Sequence, residues 1–445
     1  MKFFSLPALP KLPKFPEIPR INFYFFAQIF FGSGIFLLPL RLRSLVHTGS
    51  AYDLGFFNEY AAAFISLSEV LFLLAFLFLG LTFAFQKDFQ PQLPPIKKYT
   101  YPLLALFVAS VLVIPWATDP LLALLNFWRM LLLAAVALAI ALRIFNRYAV
   151  VKILAAAVFL QAGLGIAQYL AEGGLGVALL GESFFTADTF NVAKIVLPGG
   201  EIALRGMGTL PHANIFGGLL AVTLLLLAAH PRKSAPLYFA TIVILTGLFF
   251  SFSRAAYLAF FLGLFVLVVF QFKRRLVSAL ASFSIFGILL LAFGDPFFVR
   301  INEGSGIPPR STQIYQALML SRENPLGVGQ GGYVASLAEL NPDLEFWQLQ
   351  PVHNFFALKL AEESLAVVLA WLAIFALLAF WSLKEKKFEV LALLVTVFLL
   401  MNFDHYFADN FTATAVLWIG LGFAVGALAE EDHEFKKSVL TETES

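Results

Sequence analysis

Four segments of this chain place an arginine or a histidine where an apolar run begins. They are LRGMGTLPHANIFGGLLA from Leu204, with Arg205, His212 and Asn214; Ser251-Phe252-Ser253-Arg254; Ile307-Pro308-Pro309-Arg310-Ser311-Thr312; and His353-Asn354. Arginine's planar fork meets phosphate or carboxylate with two parallel hydrogen bonds. Unbonded backbone N–H groups at a helix start add positive potential, so Arg205, Arg254 and Arg310 are candidate anion ligands. Asn214 is expected to cap the helix beginning just after Pro211, and Ser311 and Thr312 to cap a helix over QIYQALML. The plainer reading of each is a loop-to-helix junction with a solvated arginine.

His353 offers base chemistry. A helix N-terminus disfavours imidazolium, and a neutral imidazole accepts a proton at neutral pH; the plainer alternative is an interfacial histidine that only caps. Glu362 lies nine residues on, about 14 Å deeper and on the opposite face, too far to orient that ring. Lys359 and Glu363 stand four apart on one face. With Glu362 and Arg129 they are expected to make a buried ion-pair set. Asn402-Phe403-Asp404-His405-Tyr406 adds a carboxylate and another imidazole. ENPLGVGQGGY lacks the Lys-Ser/Thr of a phosphate loop and reads as a packing turn.

The elements that hold these groups follow from composition. Of 445 residues, 60% are hydrophobic and 13% charged, against about 25% charged in soluble domains. A soluble enzyme, a disordered regulator and a nucleic-acid binder are excluded. The net charge of +2 singles out no acidic partner, and zero cysteines exclude disulfides, thiolate-held metal and a Cys nucleophile. Apolar runs recur at about 23–40, 62–85, 101–116, 120–142, 153–170, 213–230, 236–251, 255–270, 276–294, 353–383, 388–401 and 411–428. The expected fold is all-α and polytopic, with about 12 transmembrane helices; the run at 388–401 is short enough to be re-entrant.

The expected organisation has five parts. A proline-rich basic arm (1–22) interrupts any signal-peptide core. Spans one to nine (23–294) enclose an external loop at about 171–212. A large external loop with short helices (295–352), spans ten to twelve (353–428) and a tail (429–445) follow. With both termini cytoplasmic, 20 of the 30 Lys and Arg fall on cytoplasmic segments. The external basic residues are Arg41, Arg43, Lys194, Arg205, Arg254, Arg300, Arg310 and Arg322, nearly all arginine.

In this order, RGMGTLPHANIFGG, SFSRAAYLAF, RSTQIYQALMLSRENPLGVGQGGY, QPVHNFFALKLAEES and FDHYF resemble the bacterial O-antigen ligase family, over most of residues 205–406. The resemblance implies a GT-C-type glycosyltransferase of the bacterial plasma (inner) membrane, its active site facing the periplasm or exterior. Such enzymes move a glycan from undecaprenyl diphosphate to a hydroxyl acceptor, which is a lipid A core, a surface polymer or a protein. They use no cofactor, metal or nucleotide sugar. By matching position, Arg254 and Arg310 hold the lipid diphosphate and His353 activates the acceptor. Arg205 joins them as a diphosphate ligand; Asn354, His212, Asp404 and His405 support. The chain departs from the family pattern at Ala213, Ala357 and Glu362-Glu363-Ser364. Two alternatives stand beside this reading: a polymerase that joins lipid-linked repeats, and, from another class, a polysaccharide or lipid transporter.

Overall fold

The computed structural model describes residues 22–443 except 54, 87, 92, 232–233 and 303–309, with side chains as far as 429. The expected basic arm, apart from Asn22, and the side chains of the expected tail lie outside the described residues. Asn22 caps α1 (Phe23–Leu37) by accepting from the Phe25 N–H. A hairpin of β1 (Arg43–His47) and β2 (Ala63–Ser66) follows, paired antiparallel with Arg43 opposite Ser66. The second apolar run therefore starts as strand, and α2 (Leu67–Phe85) begins only at Leu67, where Ser66 and Glu69 form a capping box.

Helices α3 (Lys97–Val113), α4 (Pro120–Ala141) and α5 (Arg147–Leu170) lead to a loop carrying β3 (Lys194–Val196) and β4 (Ile202–Leu204). Then come α6 (Ala213–Ala229), α7 (Ala235–Phe250), α8 (Arg254–Phe270) and α9 (Phe272–Asn302). The last runs past the expected boundary at 294, with a non-helical break at Phe293. The second loop carries α10 (Arg310–Glu323) and α11 (Tyr333–Leu340). The chain closes with α12 (Phe355–Lys384), α13 (Phe388–Phe403), the one-turn α14 (Tyr406–Asp409) and α15 (Phe411–Thr443).

Each of the twelve expected apolar runs falls on a helix. Seven helical segments are long and apolar enough to cross a membrane: α2, α4, α5, α9, α12, Lys97–Trp116 and Phe411–Ala429. Five shorter apolar helices, α1, α6, α7, α8 and α13, complete the bundle.

Helix α6 is the hub, buried along nearly all its length and packed by α5, α7, α8, α13 and α15. Apolar helices gain little by leaving lipid for one another, so close backbone approach and polar contacts decide the packing. Gly217 supplies such an approach: a Cβ there would stand 2.9 Å from both Ser251 Oγ and Ser253 Cβ. A Cβ on Gly218 would collide with the Tyr406 hydroxyl. Two adjacent glycines thus seat the α7–α8 turn and α14 against the start of α6.

Helix α12 is interrupted at Ser364 (φ 86°, ψ 167°). Just before the break, the carbonyls of Ala361 and Glu362 accept from the Val328 N–H (3.0 Å) and the Gly329 N–H (2.8 Å). Gly327, Gly329 and Gly331 all have φ between 85° and 90°, a region that favours glycine. The glycine-rich segment is the packing turn its sequence indicated, and it straps the second loop onto α12. Of the expected buried ion-pair set, Lys359 lies 2.5 Å from Glu363 and 3.8 Å from Glu362. Arg129 does not join them. Its Nε donates to Glu69 of α2 at 2.8 Å, because α4 faces the hairpin there and its guanidinium also reaches the Phe64 carbonyl.

Candidate active site

The connections at one end of the bundle converge on a cavity of about 540 Å3. Its wall includes Arg205, Arg254, Arg310, His212, His353, Asp404 and His405, seven of the eight site residues expected from sequence. The eighth, Asn354, caps α12 from just behind His353. It accepts from the Ala357 N–H at 2.9 Å and donates to the Asn402 carbonyl at 3.0 Å, tying the α12 start to the α13 end.

Arg254 is the first residue of α8, half-buried, after a turn in which buried Phe252 holds φ at 45°. Arg310 opens the described part of α10, exposed, its guanidinium 5.8 Å from the centre of the Phe403 ring. Ser311 and Thr312 lie inside α10 instead of capping it. Arg254 sits where backbone N–H groups at the start of α8 lack helical partners, as an anion ligand requires.

Arg205 is placed differently. It is 3% exposed, its Nε donates to the Ser251 carbonyl (2.9 Å) and its Nη2 to Asn214 Oδ1 (2.7 Å). Asn214 in turn donates to Asp404 Oδ2 at 3.1 Å. The chain Ser251–Arg205–Asn214–Asp404 links the arginine turn of α8 to the histidine turn after α13. Asn214 serves as this bridge, and the cap of α6 is His212, whose Nδ1 accepts from the Asn214 N–H at 3.1 Å. That bond leaves Nδ1 without a proton. Burial and the Arg205 charge push the His212 imidazole down to about 3.

His353 and His405 face each other with ring centroids 5.2 Å apart. Gln313, one turn along α10 from Arg310, presents Oε1 to His353 Nδ1 at 3.0 Å and to its backbone N–H at 3.3 Å. An amide oxygen that accepts the backbone N–H accepts from Nδ1 as well, so Nδ1 carries the proton and Nε2 the lone pair. Burial, with help from His405 and Arg310, pushes the His353 imidazole down to about 4. His405 is the opposite case. Burial would lower it, yet Asp409 Oδ2 at 2.7 Å from its Nδ1 and Asp404 Oδ1 at 3.8 Å from its Nε2 push it up to about 9. Burial would raise Asp404, but His405, His353 and His212 hold its carboxyl below the usual range.

One ligand atom from each of His353, Asp404 and His405 lies within 4.8 Å of the others. The donor types are those of a transition-metal site, which spacing in the sequence did not reveal. A metal there would first have to remove the proton that Asp409 and Asp404 hold on His405.

Several cavity residues carried no assigned role in the sequence reading: Gln313, Asp409, Arg300, and Arg41 and Arg43 from the hairpin. The signal available for three of these was the excess of arginine over lysine on the presumed outer face. Gln313 left none, because it matters only through His353, 40 residues on; Asp409 stands four residues after His405, a spacing at which side chains on one helical turn meet.

Residues 239–362 match the family model described as O-Antigen ligase. The chain carries an O-antigen ligase-family domain. The match runs from α7 to the break in α12 and takes in Arg254, Arg310, Gln313 and His353, so both arginines and the histidine with its Gln313 partner belong to the O-antigen ligase domain. Arg205, Asp404, His405 and the hairpin arginines come from outside it. Members of the family are membrane glycosyltransferase-like enzymes, whose partners are in general a lipid-linked glycan and an acceptor. No curated protein matches the chain.

Proposed function

We propose that this protein transfers a glycan from undecaprenyl diphosphate to a hydroxyl acceptor, without a metal or cofactor, at the periplasmic or outer face of the bacterial plasma membrane. The observation that carries the reading is the His353 imidazole, held at Nδ1 by Gln313, in the same cavity as Arg254 and Arg310. His353 Nε2 takes the acceptor O–H proton as the acceptor oxygen bonds to the anomeric carbon. The bond from that carbon to the diphosphate oxygen breaks, and its electron pair leaves with the diphosphate. Arg254 and Arg310 stabilise the charge that develops there, work a divalent cation performs elsewhere. Asp404 stabilises the imidazolium that forms on His353. Direct displacement inverts the anomeric centre. The polyprenyl chain lies along the apolar helices, and a GT-C-type bundle with both termini cytoplasmic fits this arrangement.

The test is transfer by Arg254→Ala and Arg310→Ala proteins in cells that make the lipid-linked donor. Loss of the glycosylated product with donor lipid accumulating on the outer leaflet is the expected result. Normal transfer in both variants removes the diphosphate assignment, and donor lipid retained on the inner leaflet would instead favour transport.

A further inference from the structure

Opposite chemistry awaits on the hairpin wall of the same cavity. Arg41 Nη2 lies 2.6 Å from Glu59 Oε2, and Arg43 donates to that same oxygen. Among the described residues, Glu59 is the carboxylate both guanidiniums meet, so two positive charges share one negative charge. Arg129 adds no compensation, because Glu69 neutralises it. The Arg43 guanidinium is braced 3.9 Å above the centre of the Phe64 ring, and Arg41 Nη1 reaches Ser183 Oγ at 3.3 Å. Both forks are thus held in place while their side chains remain 24% and 28% exposed. Seven arginines and five carboxylates line the cavity as a whole, so the excess of positive charge is general and the hairpin holds a defined part of it.

Two rigid guanidiniums converging on one carboxylate repel each other, and an anion placed against their open edges relieves that repulsion. Glu59 shows the geometry such an anion would adopt, since a single oxygen already accepts from both forks. The lipid diphosphate of the proposed reaction is assigned to Arg254 and Arg310, on α8 and α10. The hairpin between α1 and α2 is a separate element and offers a separate place.

We propose that Arg41 and Arg43 form a second anion subsite of the cavity, which binds a phosphate or carboxylate group carried by the acceptor. The assignment to the acceptor rests on the glycosyl-transfer reading; the anion subsite itself does not.

The experiment uses the full chain in phosphatidylcholine nanodiscs, with inorganic pyrophosphate as the probe in calorimetric titrations. Wild type binds two equivalents. Arg41→Gln with Arg43→Gln keeps one of them, and Arg254→Ala with Arg310→Ala keeps the other. Glu59→Gln removes the competing carboxylate and tightens the hairpin equivalent about tenfold, a gain that a purely structural clamp would not give. A single wild-type equivalent, lost with Arg254→Ala and Arg310→Ala and indifferent to Glu59→Gln, overturns the subsite and leaves the donor site standing. An equivalent that disappears only with the hairpin pair supports the subsite even where the donor reading fails. In transfer assays, Arg43→Gln raises KM for the acceptor about tenfold with donor KM unchanged. A rise confined to donor KM overturns the acceptor assignment.

Discussion

His353 and His405 stand ring to ring, 5.2 Å between centroids and 78° between planes, with opposite protonation preferences. The cause is which neighbours each ring meets. His353 is half-buried and hydrogen-bonds a neutral amide, so it favours the neutral ring; His405 hydrogen-bonds Asp409 and favours imidazolium. Paired groups whose environments drive them apart divide acid and base roles between them.

Transfer is therefore expected to hold a plateau between about pH 4, where His353 loses its proton, and about pH 9, where His405 loses its own. The sign is fixed by requiring neutral His353 and charged His405: activity rises with pH through the first value and falls through the second. Asp409→Asn removes the principal cause of the His405 shift and brings the upper limb to lower pH. A pH–kcat/KM profile unchanged in Asp409→Asn would show that His405 charge is irrelevant.

Gln313→Leu leaves His353 free to exchange tautomers and is expected to lower kcat by about 10²-fold or more. Gln313→Glu keeps an acceptor on Nδ1 and adds a negative charge, so it retains the tautomer and moves the lower pH limb upward. The ¹⁵N shifts of the His353 ring report the tautomer without any substrate. A wild-type ring protonated at Nε2 would contradict the assignment of the base.

Arg254→Ala and Arg310→Ala are each expected to cost about 10²–10³-fold in kcat, measured as product per enzyme with purified donor lipid. Arg205→Ala acts differently, since it cuts the chain from Ser251 to Asp404. Its cost is expected in thermal stability and kcat together. An Arg205→Ala protein that keeps wild-type stability and loses only donor binding would make Arg205 a ligand after all.

Chelation addresses the His353–Asp404–His405 trio. Transfer is expected to persist after exhaustive EDTA treatment, because His405 spends its Nδ1 on Asp409 and carries a proton. Activity that is lost on chelation and restored by one divalent metal would replace the arginine-only account of leaving-group stabilisation.

Much of the architecture was legible because long apolar helices announce themselves by length and apolarity: a helix covers most of each of the twelve apolar runs, and seven helical segments are long and apolar enough to cross a membrane. The helix start at Arg254 was equally plain, from the Ser-Arg junction. What sequence missed were partnerships across the fold. Asn214 was expected to cap α6, but capping falls to His212, which frees Asn214 to reach Asp404, 190 residues away, and so to join it to Arg205. Arg129 was assigned to the acids of α12, yet α4 turns it toward Glu69. Strand β2 was hidden inside an apolar run because Ala63, Phe64 and Ile65 suit a strand and a helix start alike.

The strap over residues 327–329 limits how this cavity can open. Its backbone donors are inserted into the gap in α12, where helix carbonyls lack their usual partners, so it cannot lift away without stranding polar groups at that depth. Anything that opens the cavity must therefore leave residues 327–329 and the first two turns of α12 moving as one body. The strap is a lintel fixed to its doorpost, and only what surrounds that frame is left to move.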